Sequence, residues 1–288
     1  MPPTTPPAGP TVVPESSPPT ASFTGEQAGL PALVEALLAL VRPQLAGRTR
    51  TIVGITGPPG AGKSTLAEAF ADAIAGALAE NVAEALTEAL AESTTEAHVE
   101  STTESTTEDG ARRRPESRAR AVVVPMDGFH LSNVELERLG LADRKGALAT
   151  FDGAGFVHLL ARIRAGGELV YAPAYSRVLH ESIGGVVPVF PDTGLVVVEG
   201  NYLLVPEAPW SRIRALCDLV VYLDVAAARR REGLVRRQRE RGLAEAAALD
   251  WVRRSDEENA RVVEATRGLA DAILTRGGPV HKLDKTAG

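Results

Sequence analysis

Cysteine is almost absent from this chain of 288 residues. Cys217 stands alone, which excludes an intrachain disulfide framework and a multi-cysteine zinc site. Aromatic residues make up only 4%, so stacking platforms for single-stranded nucleic acid are scarce. No run approaches the roughly 18 apolar residues that a membrane span needs. The first residues lack the basic start and apolar core of a secretory signal. No Asn-Lys-x-Asp motif for guanine recognition occurs. The expectation is a cytoplasmic enzyme or binding protein, with no membrane partner and no nucleic-acid partner. What the chain does have is 44% hydrophobic residues, enough for a sizeable core in one large α/β domain or two small ones.

The formal net charge of −6 argues at first sight against a polyanionic ligand. The acidity is local, however. Residues 80 to 109 hold eight glutamates at every fourth position, then Asp109, and no Lys or Arg, for a net charge of −9. The rest of the chain is +3. Like charges four apart are mildly unfavourable on a helix, and the Glu-Ser-Thr-Thr repeats offer almost nothing apolar. About 80 to 119 therefore reads as an acidic low-complexity insertion, either merely solvated or acting as an interaction segment or a mimic of an anionic ligand. Residues 1 to 24, rich in Pro, Thr and Ser, read as a disordered leader.

The remainder alternates helices and strands. An amphipathic helix is expected from about Gln27 to Leu45, with Leu30, Leu33, Leu37, Leu38 and Val41 at helical spacing. Short apolar strands are expected at Thr51–Thr56, Ala121–Pro125, Leu195–Val198, Asp218–Asp224 and Asp271–Thr275. Helices are expected at Lys63 to about Ala79, Phe156–Arg164, Ala226–Arg241 and Leu249–Leu269. Continuous Val-rich strands between helices predict an α/β fold with a parallel sheet covered on both faces. Ligands of such sheets sit beyond the carboxyl ends of the strands.

At the first of those ends stands Gly57-Pro-Pro-Gly60-Ala61-Gly62-Lys63-Ser64-Thr65, which fits G-x-x-x-x-G-K-[ST] between a strand and a helix. The glycines let successive N–H groups turn toward phosphate oxygens, and the helix N-terminus adds partial positive charge. Lys63 supplies a full charge to the β- and γ-phosphates, Ser64 a hydroxyl for Mg²⁺, and Thr65 a contact to the α-phosphate. Gly57, Gly60, Ala61, Gly62, Lys63, Ser64 and Thr65 are thus the candidate ATP-binding residues.

Asp127 follows the second strand, with Gly128 allowing close approach. It could accept a proton from a substrate hydroxyl, or be a helix cap or turn aspartate. Glu199 directly follows the third long apolar strand. An acid there holds Mg²⁺ with Ser64, activates water in an ATPase, or forms a structural turn.

Together, GITGPPGAGKST, VVVPMDGFH, PAYSRVLH and VVVEGNYLL resemble the phosphoribulokinase/uridine kinase family of P-loop kinases over about Arg50 to Thr275. The wording is most similar to a group of nucleoside/nucleotide kinase-like proteins that also resembles bacterial pantothenate kinases. The resemblance implies a P-loop NTPase fold over 25–288, interrupted by the insertion. It also implies Asp127 as general base and Glu199 as metal-assisting carboxylate. His130, Tyr175, Arg177, His180 and Asn201 become candidate acceptor contacts. Ser176 follows Tyr175, as in pantothenate kinases, where uridine kinases usually have Asp. The family's dimers and tetramers make a homo-oligomer the expectation.

The stretch Ala226–Arg241 carries seven arginines and a net charge of +5 where family kinases have a lid. Most of these arginines read as a solvated basic face. Arg236 and Arg237 match the lid pattern best and are the candidates to stabilise the transferring phosphoryl group. The histidines show no metal-ligand spacing; His158 reads as a helix-surface residue and Cys217 as a small core residue. The implied function is ATP-dependent transfer, with Mg²⁺, to a hydroxyl of a nucleoside, a pantothenate-like compound or a sugar. The alternative is a P-loop ATPase or ATP-binding regulator without a small acceptor.

Overall fold

Three apolar runs are buried almost throughout because each faces packed helices on both sides. In β1 (Thr51–Thr56), β5 (Leu195–Glu199) and most of β6 (Leu219–Asp224), successive side chains enter two different cores. Ile52, Val196, Val198, Val220 and Tyr222 join one; Val53, Ile55, Val197, Val221 and Leu223 join the other. This is the signature of a sheet with no solvated face.

The computed structural model describes residues 29–45, 48–76 and 121–283. The proposed leader and the acidic insertion lie outside the described residues. The sheet has six strands in the order β2-β5-β1-β6-β7-β8, where β2 is Ala121–Pro125, β7 Ala272–Thr275 and β8 Val280–Lys282. The first five run parallel, as predicted. β8 pairs antiparallel with β7, an edge strand that the sequence pattern did not show. Register aligns the carboxyl ends: Glu199 lies opposite both Ile55 and Pro125. The loops that follow these strands therefore open on one edge.

α1 (Leu30–Leu45) and α2 (residues 63–76) lie with one core; α4 (Gly153–Ala165) lies with the other. Between α2 and α4 come β2 and α3 (Asn133–Leu139). Ser132 caps α3 by accepting from the Glu135 amide, and Gly140 ends it at φ 67°.

The segment expected only to touch substrate is a two-stranded antiparallel hairpin of its own, β3 (Val170–Ser176) with β4 (Glu181–Val189). Its burial does not alternate cleanly, and Gly184 and Gly185 interrupt it, so it lacks a strand pattern. The predicted helix 249–269 is also divided. It consists of α7 (Glu245–Trp251), a π turn over Val252–Asp256, and α8 (Glu257–Glu264). α5 is a single turn, Ile213–Leu216, and α6 spans Ala227–Glu240. His158 is exposed and Cys217 is buried, both as expected. Among the described residues no helix is long and apolar enough to cross a membrane.

Arg50 ties the far end of the sheet together. Its buried guanidinium donates to the carbonyls of Thr193 at 3.1 Å, Phe190 at 2.7 Å, Pro191 at 2.9 Å, and to that of Ile163. An apolar replacement removes all these donated bonds at once, although the Phe190 carbonyl keeps the Thr193 amide at 3.1 Å. Arg50→Met is expected to lower unfolding free energy by about 3 kcal/mol, read as a reduced urea midpoint with unchanged slope.

Candidate active site

The phosphate loop is shaped by what it touches. A Cβ on Gly57 (φ 150°) would lie 2.5 Å from the Leu223 carbonyl oxygen of β6. A Cβ on Gly60 (φ 80°) would lie 2.8 Å from Leu234 and 3.0 Å from Arg230, both on α6. The loop is thus pressed between the sheet and α6, and only glycine fits either contact. Arg230, expected to be one of a solvated set, is 1% exposed. It pairs with Glu257 of α8 at 2.6 Å and approaches the Pro59 carbonyl at 3.4 Å.

Lys63 opens α2. Its ammonium donates to the Pro58 carbonyl at 3.1 Å and to Asn201 Oδ1 at 2.6 Å. Burial pushes it down to about 8, against the pull of Glu199 and Asp127. Ser64 Oγ donates to Glu199 Oε1 at 3.1 Å. These two oxygens sit at the mouth of the loop, the hard-donor pair that suits Mg²⁺ shared with phosphates. Burial, reinforced by Asp127 and opposed by Lys63 and the Ser64 hydroxyl, lifts Glu199 to about 7.

Asp127 lies on a single 3₁₀ turn after β2. The residue is exposed and lines the cleft, and no cap hydrogen bond to its carboxylate is found among the described residues. Gly128 does allow close approach, but to the hairpin: a Cβ there would lie 2.3 Å from the Pro173 carbonyl oxygen. His130 Nδ1 lies 2.8 Å from the Asp127 carbonyl, and its ring lies 4.9 Å from that of Tyr175.

These groups line one cleft of about 600 Å³, within the usual range for small-molecule sites. It holds Gly60, Gly62, Lys63, Ser64 and Thr65 at the phosphate end. Asp127, His130, Tyr175, Arg177, His180, Glu199 and Asn201 lie along it. Gly57 and Ala61 shape the loop from behind.

Comparisons with known proteins bear on the fold and the family. A structure described as "putative fructose transport system kinase" from Silicibacter sp. TM1040 is 33% identical, with a TM-score of 0.63 over 86% of this chain and 99% of that one. A "Putative uridine kinase" of Schizosaccharomyces pombe is 31% identical over 159 residues, 53% of this chain and 68% of its own. The uncharacterized protein YggC of Escherichia coli K12 is 29% identical over 248 residues, 85% of each chain. No family model matches. The chain belongs to the uridine kinase/phosphoribulokinase-like family of P-loop kinases.

Within this family kinase, one lid assignment needs correction. Arg236 is 76% exposed in its side chain and, among the described residues, makes one long ion pair, to Glu240 at 3.9 Å. It points away from the cleft because one residue along a helix turns the side chain by about 100°. Arg237 faces inward and lines the cleft beside Arg241. Partial burial lowers its pKa, and the neighbouring Arg177 and Arg241 lower it further.

The kinase cleft also holds residues that the motifs did not indicate. Lys145 donates to the His180 carbonyl at 2.6 Å and lies 5.3 Å from the centre of the Tyr175 ring. Tyr202 donates to the Gly146 carbonyl at 2.8 Å and holds that loop down. Arg241, Asp256 and Asn259 complete the wall. Arg241 ends α6, Asp256 ends the π turn and Asn259 lies on the short α8, where no long periodicity marks a position as inward.

Glu199 gives a pH signature to the ligand-free kinase. Between the ordinary carboxyl value and about 7, the folded protein holds a proton here that the unfolded chain has released. Its contribution to stability is full below the ordinary value and lost as pH rises through 7. Denaturation of metal- and nucleotide-free protein should show this falling component, and Glu199→Gln should remove it. An unchanged pH profile in the variant would contradict the assignment.

Proposed function

We propose that this kinase transfers the γ-phosphoryl group of ATP, with Mg²⁺, to a hydroxyl of a small metabolite: a nucleoside, a pantothenate-like compound or a sugar. The observation that carries the reading is the convergence of Lys63, the Ser64–Glu199 pair and Asp127 on one edge of the sheet, at the head of a cleft that continues past them.

The loop amides and Lys63 bind and orient the polyphosphate. Ser64 and Glu199 would hold Mg²⁺, which when bound supplies charge neutralisation to the phosphates. Asp127 takes the proton of the acceptor hydroxyl. The acceptor oxygen forms a bond to the γ-phosphorus while the bond to the β–γ bridging oxygen breaks, leaving ADP. Arg237 and Arg241 meet the charge spread over the transferring group. A cleft walled on the far side by the hairpin and α8 keeps water from Asp127 when filled.

A P-loop ATPase needs no such extension. Here Tyr175, Lys145, Asn259 and Asp256 line space beyond the phosphate end. That space supports a small acceptor over the hydrolytic alternative.

Asp127→Asn keeps the shape and removes the base. The expected result is a loss of about 10²–10⁴-fold in kcat with ATP affinity nearly intact. Turnover at the wild-type rate would overturn the assignment of the base.

A further inference from the structure

Among the described residues, one buried carboxylate oxygen of the cleft wall has no hydrogen-bond partner. Asp256 is the last residue of the π turn between α7 and α8. Its Oδ2 is buried without a hydrogen bond, and no ion pair reaches it among the described residues. A buried acceptor without a donor is costly, so native structures rarely keep one without a use. π turns also recur where a helix is bent to serve a site.

The basic groups around it are otherwise engaged or turned elsewhere. Arg230 is taken by Glu257 at 2.6 Å. Arg237 and Arg241 line the cleft on the lid side, within electrostatic range of Asp256 but not bonded to it. Burial raises Asp256 to about 6, opposed by these arginines. Its neighbour one turn on, Asn259, is 8% exposed and lines the same cleft. Across the cleft, His130 Nδ1 must donate to the Asp127 carbonyl, since a carbonyl can only accept. In the neutral ring, which burial favours, that leaves Nε2 as a further acceptor. The far end of the cleft thus asks for hydrogen-bond donors.

We propose that Asp256 is a specificity residue of the acceptor site, and that the acceptor is a polyol whose adjacent hydroxyls donate to its carboxylate. This rests on the kinase reading above. An anionic head would meet the carboxylate with like charge; paired hydroxyls satisfy it. A free sugar and the ribose of a nucleoside share this chemistry.

The test compares D-fructose and uridine, each with its singly deoxygenated analogues, as acceptors for the wild type and for Asp256→Asn. Pantothenate and a no-acceptor control run alongside. For whichever polyol is phosphorylated, loss of one of the paired hydroxyls should lower wild-type kcat/KM by about 10- to 100-fold. Asp256→Asn should raise the acceptor KM by about tenfold, leave the ATP KM within about twofold, and shrink the deoxygenation penalty. The fructose and uridine arms distinguish the two sources.

A deoxygenation penalty that is equal in variant and wild type overturns the proposal. So does an altered ATP KM with an unchanged acceptor KM, which would make Asp256 a partner of a lid arginine. Phosphorylation of pantothenate with neither polyol accepted overturns the polyol while leaving the kinase reading standing. ATP hydrolysis indifferent to every acceptor removes the kinase reading itself. The wild-type comparison of hydroxylated and deoxygenated acceptors needs no variant, so a folding defect cannot mask the result.

Discussion

A buried ammonium is the constraint around which the site is arranged. Lys63 cannot keep its charge in an apolar interior without oxygen partners. It finds them in its own loop at Pro58 and on the next strand end at Asn201. Asn201 is held in turn, its carbonyl accepting from Thr56 Oγ1 at 3.0 Å. Gly200 must be glycine to pass Met126, because a Cβ would lie 2.5 Å from that side chain. Three strand ends are locked together to seat one charge. The same locking brings Glu199 to Ser64 and sets Asp127 beside both.

The second support is Arg230. The sheet alone would leave the phosphate loop covered on one side. α6 closes the other, with Leu234 and the Arg230 stem against Gly60. The Arg230 ion pair to Glu257 then couples α6 to the start of α8. The phosphate end and the acceptor wall are therefore parts of one packed unit. Truncating a partner in such a buried pair leaves an uncompensated charge, so its mutation reads out in both stability and function.

Much of this was legible in the residues. The Val-rich runs announced a sheet buried on both faces, and the residues Gly57–Thr65 announced the strand–loop–helix turn at its carboxyl edge. What escaped has a common physical cause. The hairpin β3–β4 is half exposed and glycine-interrupted, so neither period marks it. Arg230 and Arg237 are indistinguishable in type from the exposed Arg236; only helical phase against a partner unknown from sequence separates them. Lys145, Asp256 and Asn259 reach the cleft through the tertiary packing of a loop, a π turn and the short helix α8. The leader and the insertion lie outside the described residues, so the roles read for them rest on composition alone.

The chemistry of the account reduces to one claim: phosphoryl groups leave ATP for a hydroxyl, not for water. The direct measurement is ATP consumption by the purified protein with Mg²⁺, with and without a panel of hydroxyl acceptors, product identified by mass. The account predicts slow turnover alone and strong stimulation by one acceptor class, with the phosphate found on that acceptor. Full-rate hydrolysis that ignores every acceptor would contradict it.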